Sequence, residues 1–99
     1  MPKIDEELDF ELALDKPSMY KVLLHNDDYT TMEFVVMILS QIFRKSSQES
    51  ENIMLEVHEK GKGLCGVYTH EIAQTKIQQV TQLAREEGFP LLATMEVDE

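Results

Sequence analysis

Residues 19–43 read MYKVLLHNDDYTTMEFVVMILSQIF, and the fold turns on how this run divides. From Met19 to His25 the chain alternates, with Tyr20, Val22 and Leu24 on one face, the period of a half-buried strand. The cluster NDDYTT at 26–31 breaks the alternation with residues that favour turns and caps. Thr30 stands three residues before Glu33, a capping-box spacing that starts a helix there with Thr31 at its first position. Met32, Val35, Val36, Leu39 and Phe43 then recur at helical intervals, which predicts an amphipathic helix to about Lys45.

Outward from this run the pattern stays regular. Ser46 and Glu49 repeat the capping-box spacing and open a second helix with Ile53, Met54 and Val57 on its apolar side, ending near Gly61. KGLCGVYT at 62–69 reads as a strand in which Gly66 marks a bulge or a close approach. Thr69 caps a third helix, with Glu71 in the first turn and Ala73, Ile77, Val80 and Ala84 on the buried face. Gly88 and Pro90 stop it, and LLATMEV at 91–97 is a last strand. The order strand–helix–helix–strand–helix–strand predicts an α+β fold: one small three-stranded antiparallel sheet with three helices packed on one face.

The chain has 99 residues, 42% of them hydrophobic and 28% charged, enough for one packed core. Little room remains for a deep multi-substrate active site, which favours a binding module. The formal net charge of −10 repels phosphate backbones and anionic membranes and suits a basic or cationic partner. Residues 1–17 differ from the rest, with six acidic residues against Lys3 and Lys16. They predict a flexible acidic extension, with a transient helix around Leu8, Leu12 and Leu14, ahead of a core domain at 18–99. The first residues resemble neither a signal peptide nor a transit peptide, and no apolar run approaches a membrane span, so a cytoplasmic protein is expected. Cys65 is the only cysteine, so the chain can form no internal disulfide.

His58 follows Met54 by one turn on the second predicted helix. Packing that helix against the first brings it towards the Asn26-Asp27-Asp28 turn. Asp27, Asp28 and His58 alone are a weak metal signal, with no His-x-x-x-His or Glu-x-x-His pair beside them. No Gly-x-Ser-x-Gly elbow or phosphate loop is present, and Cys65 has no evident base. Two readings of the turn stand on the residues alone. One is an Asx-type turn capping the helix, which accounts for Asp28 and Thr30 without a ligand. The other is a cluster of acceptors (amide carbonyl, carboxylate, neutral imidazole nitrogen) matched to the three donors of a primary ammonium.

Three separated segments, PSMYKVLLHNDDYTTMEFVVMIL (17–39), MLEVHEKGKGLCGVYTHEIAQTK (54–76) and EEGFPLLATME (86–96), resemble the ClpS family, adaptors of the bacterial Clp ATP-dependent protease. The resemblance implies recognition of N-end-rule substrates through a first residue of Leu, Phe, Tyr or Trp, and their transfer to a hexameric Clp unfoldase. On this basis Asn26, Asp27, Asp28 and His58 are expected to bind the α-amino group. Met32, Val35, Met54, Val57 and Leu91 would wall the side-chain pocket, with Thr30 at its rim and Met32 excluding β-branched residues. Glu71 and Lys76 match positions used to dock on the N-terminal domain of an unfoldase of ClpA or ClpC type, and the N-terminal extension would serve delivery. No enzymatic activity, cofactor or metal is implied, and a monomer is expected. Thr31 departs from relatives that carry Pro there, where a small loss of rigidity is expected. His25, just before the motif, falls at a variable position and would add a second titrating group near the pocket. Two competing readings are a small metal-dependent hydrolase using Asp27, Asp28 and His58, and a ClpS-like interaction domain with a silent pocket.

Overall fold

Burial follows the alternation of the first strand only in part: Val22 and Leu24 are fully buried, but Tyr20 on the same face is half covered and Leu23 on the opposite face is buried as well. In the computed structural model, which describes residues 18–99, the strand is β1 (Met19–His25). It is followed by α1 (Met32–Gln41), α2 (Ser47–Lys60), β2 (Lys62–Thr69), α3 (His70–Glu87) and β3 (Leu92–Asp98). The predicted α+β order is therefore observed. The expectation for residues 1–17 lies outside the described residues.

β1 is the central strand, antiparallel to β2 on one side and β3 on the other. His25, at its end, pairs with Lys62 and with Leu92. The register against β2 shifts between Val22 and Leu23, where Gly66 and Leu64 are the partners and Cys65 is the extra residue. A bulge thus falls beside Gly66, and the Tyr68 ring lies over that glycine where a side chain would otherwise stand. Helix α3 packs across all three strands, α2 packs on β2, and α1 packs on α2. The core joins Val22, Leu24, Cys65 and Ala93 of the sheet to Phe34, Val35, Ile38, Leu39, Val57, Ala73, Val80 and Ala84 of the helices. The other face of the sheet carries a Lys21–Glu96 ion pair at 3.9 Å and a 2.7 Å hydrogen bond between His25 and Thr94.

Helix α1 differs from expectation at both ends. Thr30 does not cap it, because Asp27 takes both its amide (2.7 Å) and its hydroxyl (2.7 Å). Thr31 is the N-cap instead: its backbone is extended and its Oγ1 accepts from the amide of Phe34 at 3.1 Å. Thr31 therefore supplies a cap that Pro cannot, rather than filling the first helical position. At the other end the helix stops at Gln41, four residues early, and Arg44 takes a left-handed φ of 56°. The chain folds back there, Lys45 N donating to Leu39 O at 3.1 Å, and Phe43 is turned into the core. The buried face is also rotated by about one residue. It holds Phe34, Val35, Ile38 and Leu39, while Met32 is 45% exposed.

Helix α2 matches its expected signals. Ser46 and Glu49 form a reciprocal capping box, and Gly61 ends the helix at a left-handed φ of 92°, where a side chain would be strained. Thr69 caps α3 and Gly88 closes it. One residue of α2 works against stability. Ser50 is fully buried, and its hydroxyl has no hydrogen-bond partner among the described residues. Ser50→Ala removes that unpaired group and improves helix propensity, so a gain of about 1 kcal/mol is expected. It would be read as a rise of about 4–8 °C in the thermal midpoint.

Candidate functional site

The loop after β1 is held from two sides. Its first residue, Asn26, donates its backbone N–H to the carbonyl of Gly61 at 2.8 Å, and Gly61 N in turn donates to Val57 O at 3.0 Å. The loop is thereby fixed against the last turn of α2, which carries Val57 and His58. Its own shape comes from Asp27, whose Oδ1 accepts from the amides of Tyr29 (2.8 Å) and Thr30 (2.7 Å) while Oδ2 accepts from the Thr30 hydroxyl (2.7 Å). This is an Asx-type turn, formed by Asp27 rather than by Asp28. Partial burial works against the Asp27 charge, but the hydrogen bonds from Thr30 and Tyr29 outweigh it and hold the carboxyl below its ordinary range.

Because the folded-state value is depressed, the stability Asp27 contributes is complete above the unfolded carboxyl's range. It is lost as pH falls through the folded-state value. Asp27→Ala is expected to cost about 1 kcal/mol at neutral pH, kept modest by the loop's contact with water. Urea denaturation should show the gap between variant and parent closing as pH drops below about 4.

Between this loop, the start of α1 and the end of α2 lies a cavity of about 270 Å³, lined by Asn26, Asp27, Asp28, Thr30, Met32, Val35, Met54, Val57 and His58. The size suits one large side chain rather than a whole small-molecule substrate. Nine of the ten residues expected around the first residue of a substrate line it, and no other described residue does. The tenth, Leu91, is 6% exposed and belongs to the core, not to the cavity lining. Met54, Val57 and His58 sit at i, i+3 and i+4 of α2, so apolar wall and imidazole share one face. Met32 and Val35 stand one turn apart on α1 and supply the facing wall.

The polar end is divided by role. Asp27 spends its acceptors inside the loop. Asn26, Asp28 and His58 are exposed at the cavity, and their side chains hydrogen-bond to no other described residue. They present an amide carbonyl, a carboxylate and an imidazole to whatever enters. Among the described residues no three His, Cys, Asp or Glu side chains converge as a metal would require. Cys65 is fully buried and not in the cavity lining, and burial pushes its thiol up to about 12.

The two residues expected to dock a partner, Glu71 and Lys76, lie on α3 and outside the cavity lining. Glu71 is exposed in the first turn. Lys76 is more engaged than its sequence context suggests. Its Nζ donates to Ile42 O at 2.8 Å and sits 5.4 Å from the Tyr68 ring and 5.9 Å from that of Phe43. Helix α1 has no basic residue in its last turn, so Lys76 supplies the cation for its C-terminal end from another element. Such a long-range contact leaves no mark in local spacing.

No helix of the described residues is long and apolar enough to cross a membrane. Residues 15–94 match the family model for the ATP-dependent Clp protease adaptor protein ClpS. A ClpS adapter protein of Desulforapulum autotrophicum is 61% identical over 80 residues, covering 81% of this chain and 77% of that protein. One from Nitratidesulfovibrio vulgaris is 58% identical over 92 residues, covering 93% of this chain and 92% of that protein. Among solved structures, Agrobacterium tumefaciens ClpS2 bound to L-phenylalaninamide superposes with a TM-score of 0.80 at 41% identity, over 83% of this chain and 99% of that one.

Proposed function

This chain belongs to the ClpS family of ATP-dependent Clp protease adaptors, and from that membership we propose that it holds proteins by their first residue and carries them to a Clp unfoldase. The observation that carries this reading is the two-ended cavity: three uncommitted acceptors (Asn26, Asp28, His58) at one end, and Met32, Val35, Met54 and Val57 at the other. L-Phenylalaninamide, the ligand of the Agrobacterium tumefaciens relative, has the same two ends, a primary ammonium and an apolar side chain. The proposed ligands are N-terminal Leu, Phe, Tyr and Trp. The α-ammonium meets the three acceptors and the side chain fills the apolar end, with Thr30 at the rim. Asp27 shapes the loop and contributes to the negative field around the amine.

The energetics suit a carrier that must release its cargo. Burying one Leu or Phe side chain contributes about 1.5–3 kcal/mol, and each hydrogen bond to a charged ammonium about 1.5–3 kcal/mol. An association cost of about 4–15 kcal/mol stands against them, leaving weak to moderate affinity. Delivery completes the proposal. Glu71 and the start of α3 would dock on the N-terminal domain of a ClpA- or ClpC-type unfoldase. Lys76 would contribute there while anchoring α3 to the end of α1, and residues 1–17 would serve the transfer step.

Fluorescence anisotropy with otherwise identical peptides starting with Leu, Phe, Tyr, Trp, Ile, Val or Gly tests the recognition step. The first four should bind well above the last three, and a flat ranking would refute the reading. The family resemblance assigns Met32 to exclude branching at Cβ, and its place in the cavity lining, 45% exposed, supports that role. Met32→Ala should raise affinity for Ile- and Val-initiated peptides about 10-fold, the scale of one or two methylene-sized contacts. The same titrations would show unchanged discrimination if the gate lay elsewhere.

A further inference from the structure

Six methionines and one cysteine are the sulfur-bearing residues of the chain. Two of the methionines, Met32 of α1 and Met54 of α2, meet at the apolar end of the cavity and also line a second groove of about 380 Å³ beside it. Solvent therefore reaches the pair from two openings, and Met32 is 45% exposed while Met54 is half-buried. The other described sulfurs are placed differently. Met37 and Met95 are half-buried against the core and line neither opening. Met19 is 39% exposed, but it stands at the start of β1 and also lines neither. Cys65 is fully buried, and burial keeps its thiol protonated and unreactive.

We propose that Met32 and Met54 form an oxidation site, at which a peroxide converts thioether to sulfoxide and so shuts the cavity to Leu and Phe side chains. The inference rests on the N-terminal receptor reading above. In the step itself, the Sδ lone pair attacks one oxygen of hydrogen peroxide and the O–O bond breaks. Proton transfer then leaves the sulfoxide and one water, with sulfur oxidised and peroxide reduced by two electrons. A thioether has no proton to lose, so access to the oxidant governs its reaction. Oxidation turns a flexible apolar wall into a polar, chiral one. The new oxygen is a strong acceptor facing Val35 and Val57 across a cavity sized for one side chain. A Leu or Phe side chain entering there covers that oxygen and brings no donor to it, so its water is lost without replacement. Asn26, Asp28 and His58 carry no sulfur, so the polar end is chemically unaltered and the loss falls on the apolar end alone.

The full chain would be treated with a graded excess of hydrogen peroxide and each methionine followed by peptide mass spectrometry. Met32 and Met54 should oxidise faster than Met37 and Met95. Affinity for Phe- and Leu-initiated peptides, read by anisotropy, should fall about 10–100-fold in step with their sulfoxides, while the far-UV circular dichroism is retained. Treatment with methionine sulfoxide reductases of both epimer specificities should restore binding. In Met32→Leu/Met54→Leu, whatever its own affinity, the ratio between treated and untreated protein should stay near one, whereas Met19→Leu should lose affinity as the parent does. Equal oxidation rates at all four sites would overturn the inference, as would full affinity in protein oxidised at Met32 and Met54. An equal loss in the double leucine variant, or a loss that tracks unfolding in the far-UV signal, would overturn it too. Failure of the untreated chain to bind any Phe peptide would instead overturn the N-terminal receptor reading, and the oxidation site's role with it.

Discussion

Acetylating the amine of a Phe-initiated peptide is expected to lower its affinity about 100–1000-fold, while adding a methyl ester at its C-terminus changes little. The acetamide has no charge and retains one N–H of the three that an ammonium presents. Asn26, Asp28 and His58 have no partner in the rest of the described chain, so each acceptor covered by the ligand and left unmatched loses water without replacement. Each such loss costs about 1–3 kcal/mol, and two of them account for the expected range. The acetyl group also needs space where the polar end is meant to close on the amine. Parallel anisotropy titrations of the free and acetylated peptides give the ratio directly. A ratio near one would show that the apolar end alone holds the ligand and that the three acceptors are bystanders.

The second large effect is expected away from the polar end of the cavity, at Gly63. A Cβ there would stand 2.7 Å from Val57 Cγ2 and 3.2 Å from the carbonyl of Ile53. Both neighbours belong to α2, and one of them is backbone, so the helix itself must move away from β2. Overpacking of this kind costs about 1–3 kcal/mol, and Gly63→Ala should fall at the upper end because no flexible side chain can absorb the clash. Val57 lines the cavity and His58 follows it, so the shift also reaches the site. Urea denaturation should report the lost stability, and Phe-peptide affinity should fall under conditions where the variant remains fully folded. Full retention of both would mean that α2 and β2 approach less closely than the contacts with Val57 and Ile53 imply. Gly61, two residues earlier, has nothing within 4 Å of its missing Cβ, so its requirement is one of backbone angle and not of space.

The elements that sequence displays well are those built from neighbours. Ser46 and Glu49 are three residues apart and cap α2 as their spacing says, and Gly61 and Gly88 end helices where expected. Helix α1 starts one residue later than the capping-box spacing predicts, for a physical reason. Asp27 reaches forward to Thr30 and takes the hydroxyl that a capping-box pattern would assign to the helix. Two threonines in a row give no local sign of which will be captured. The early end of α1 depends on Arg44 in a left-handed conformation and on Lys76, 34 positions from the carbonyl it holds, and neither is visible in periodicity. For the site, spacing alone offered an acidic turn and a helix histidine. Packing of the two helices suggested that they face each other, the resemblance to ClpS favoured a ligand site over a bare capping turn, and nine of the ten side chains expected there line one cavity. Leu91 precedes β3, is buried in the core and does not line the cavity.

The hydrogen bond from Asn26 to Gly61 links recognition to the most frayable part of a helix. Gly61 closes α2, and terminal turns open more readily than the global fold. When that turn opens, the loop loses its anchor and Val57 and His58 lose their register together, so the receptor loses its grip while the sheet is intact. Affinity for cargo should therefore fade on warming at temperatures where the chain still counts as folded. If the chain holds its ligand as proposed, that hold would loosen on warming before the fold itself is lost.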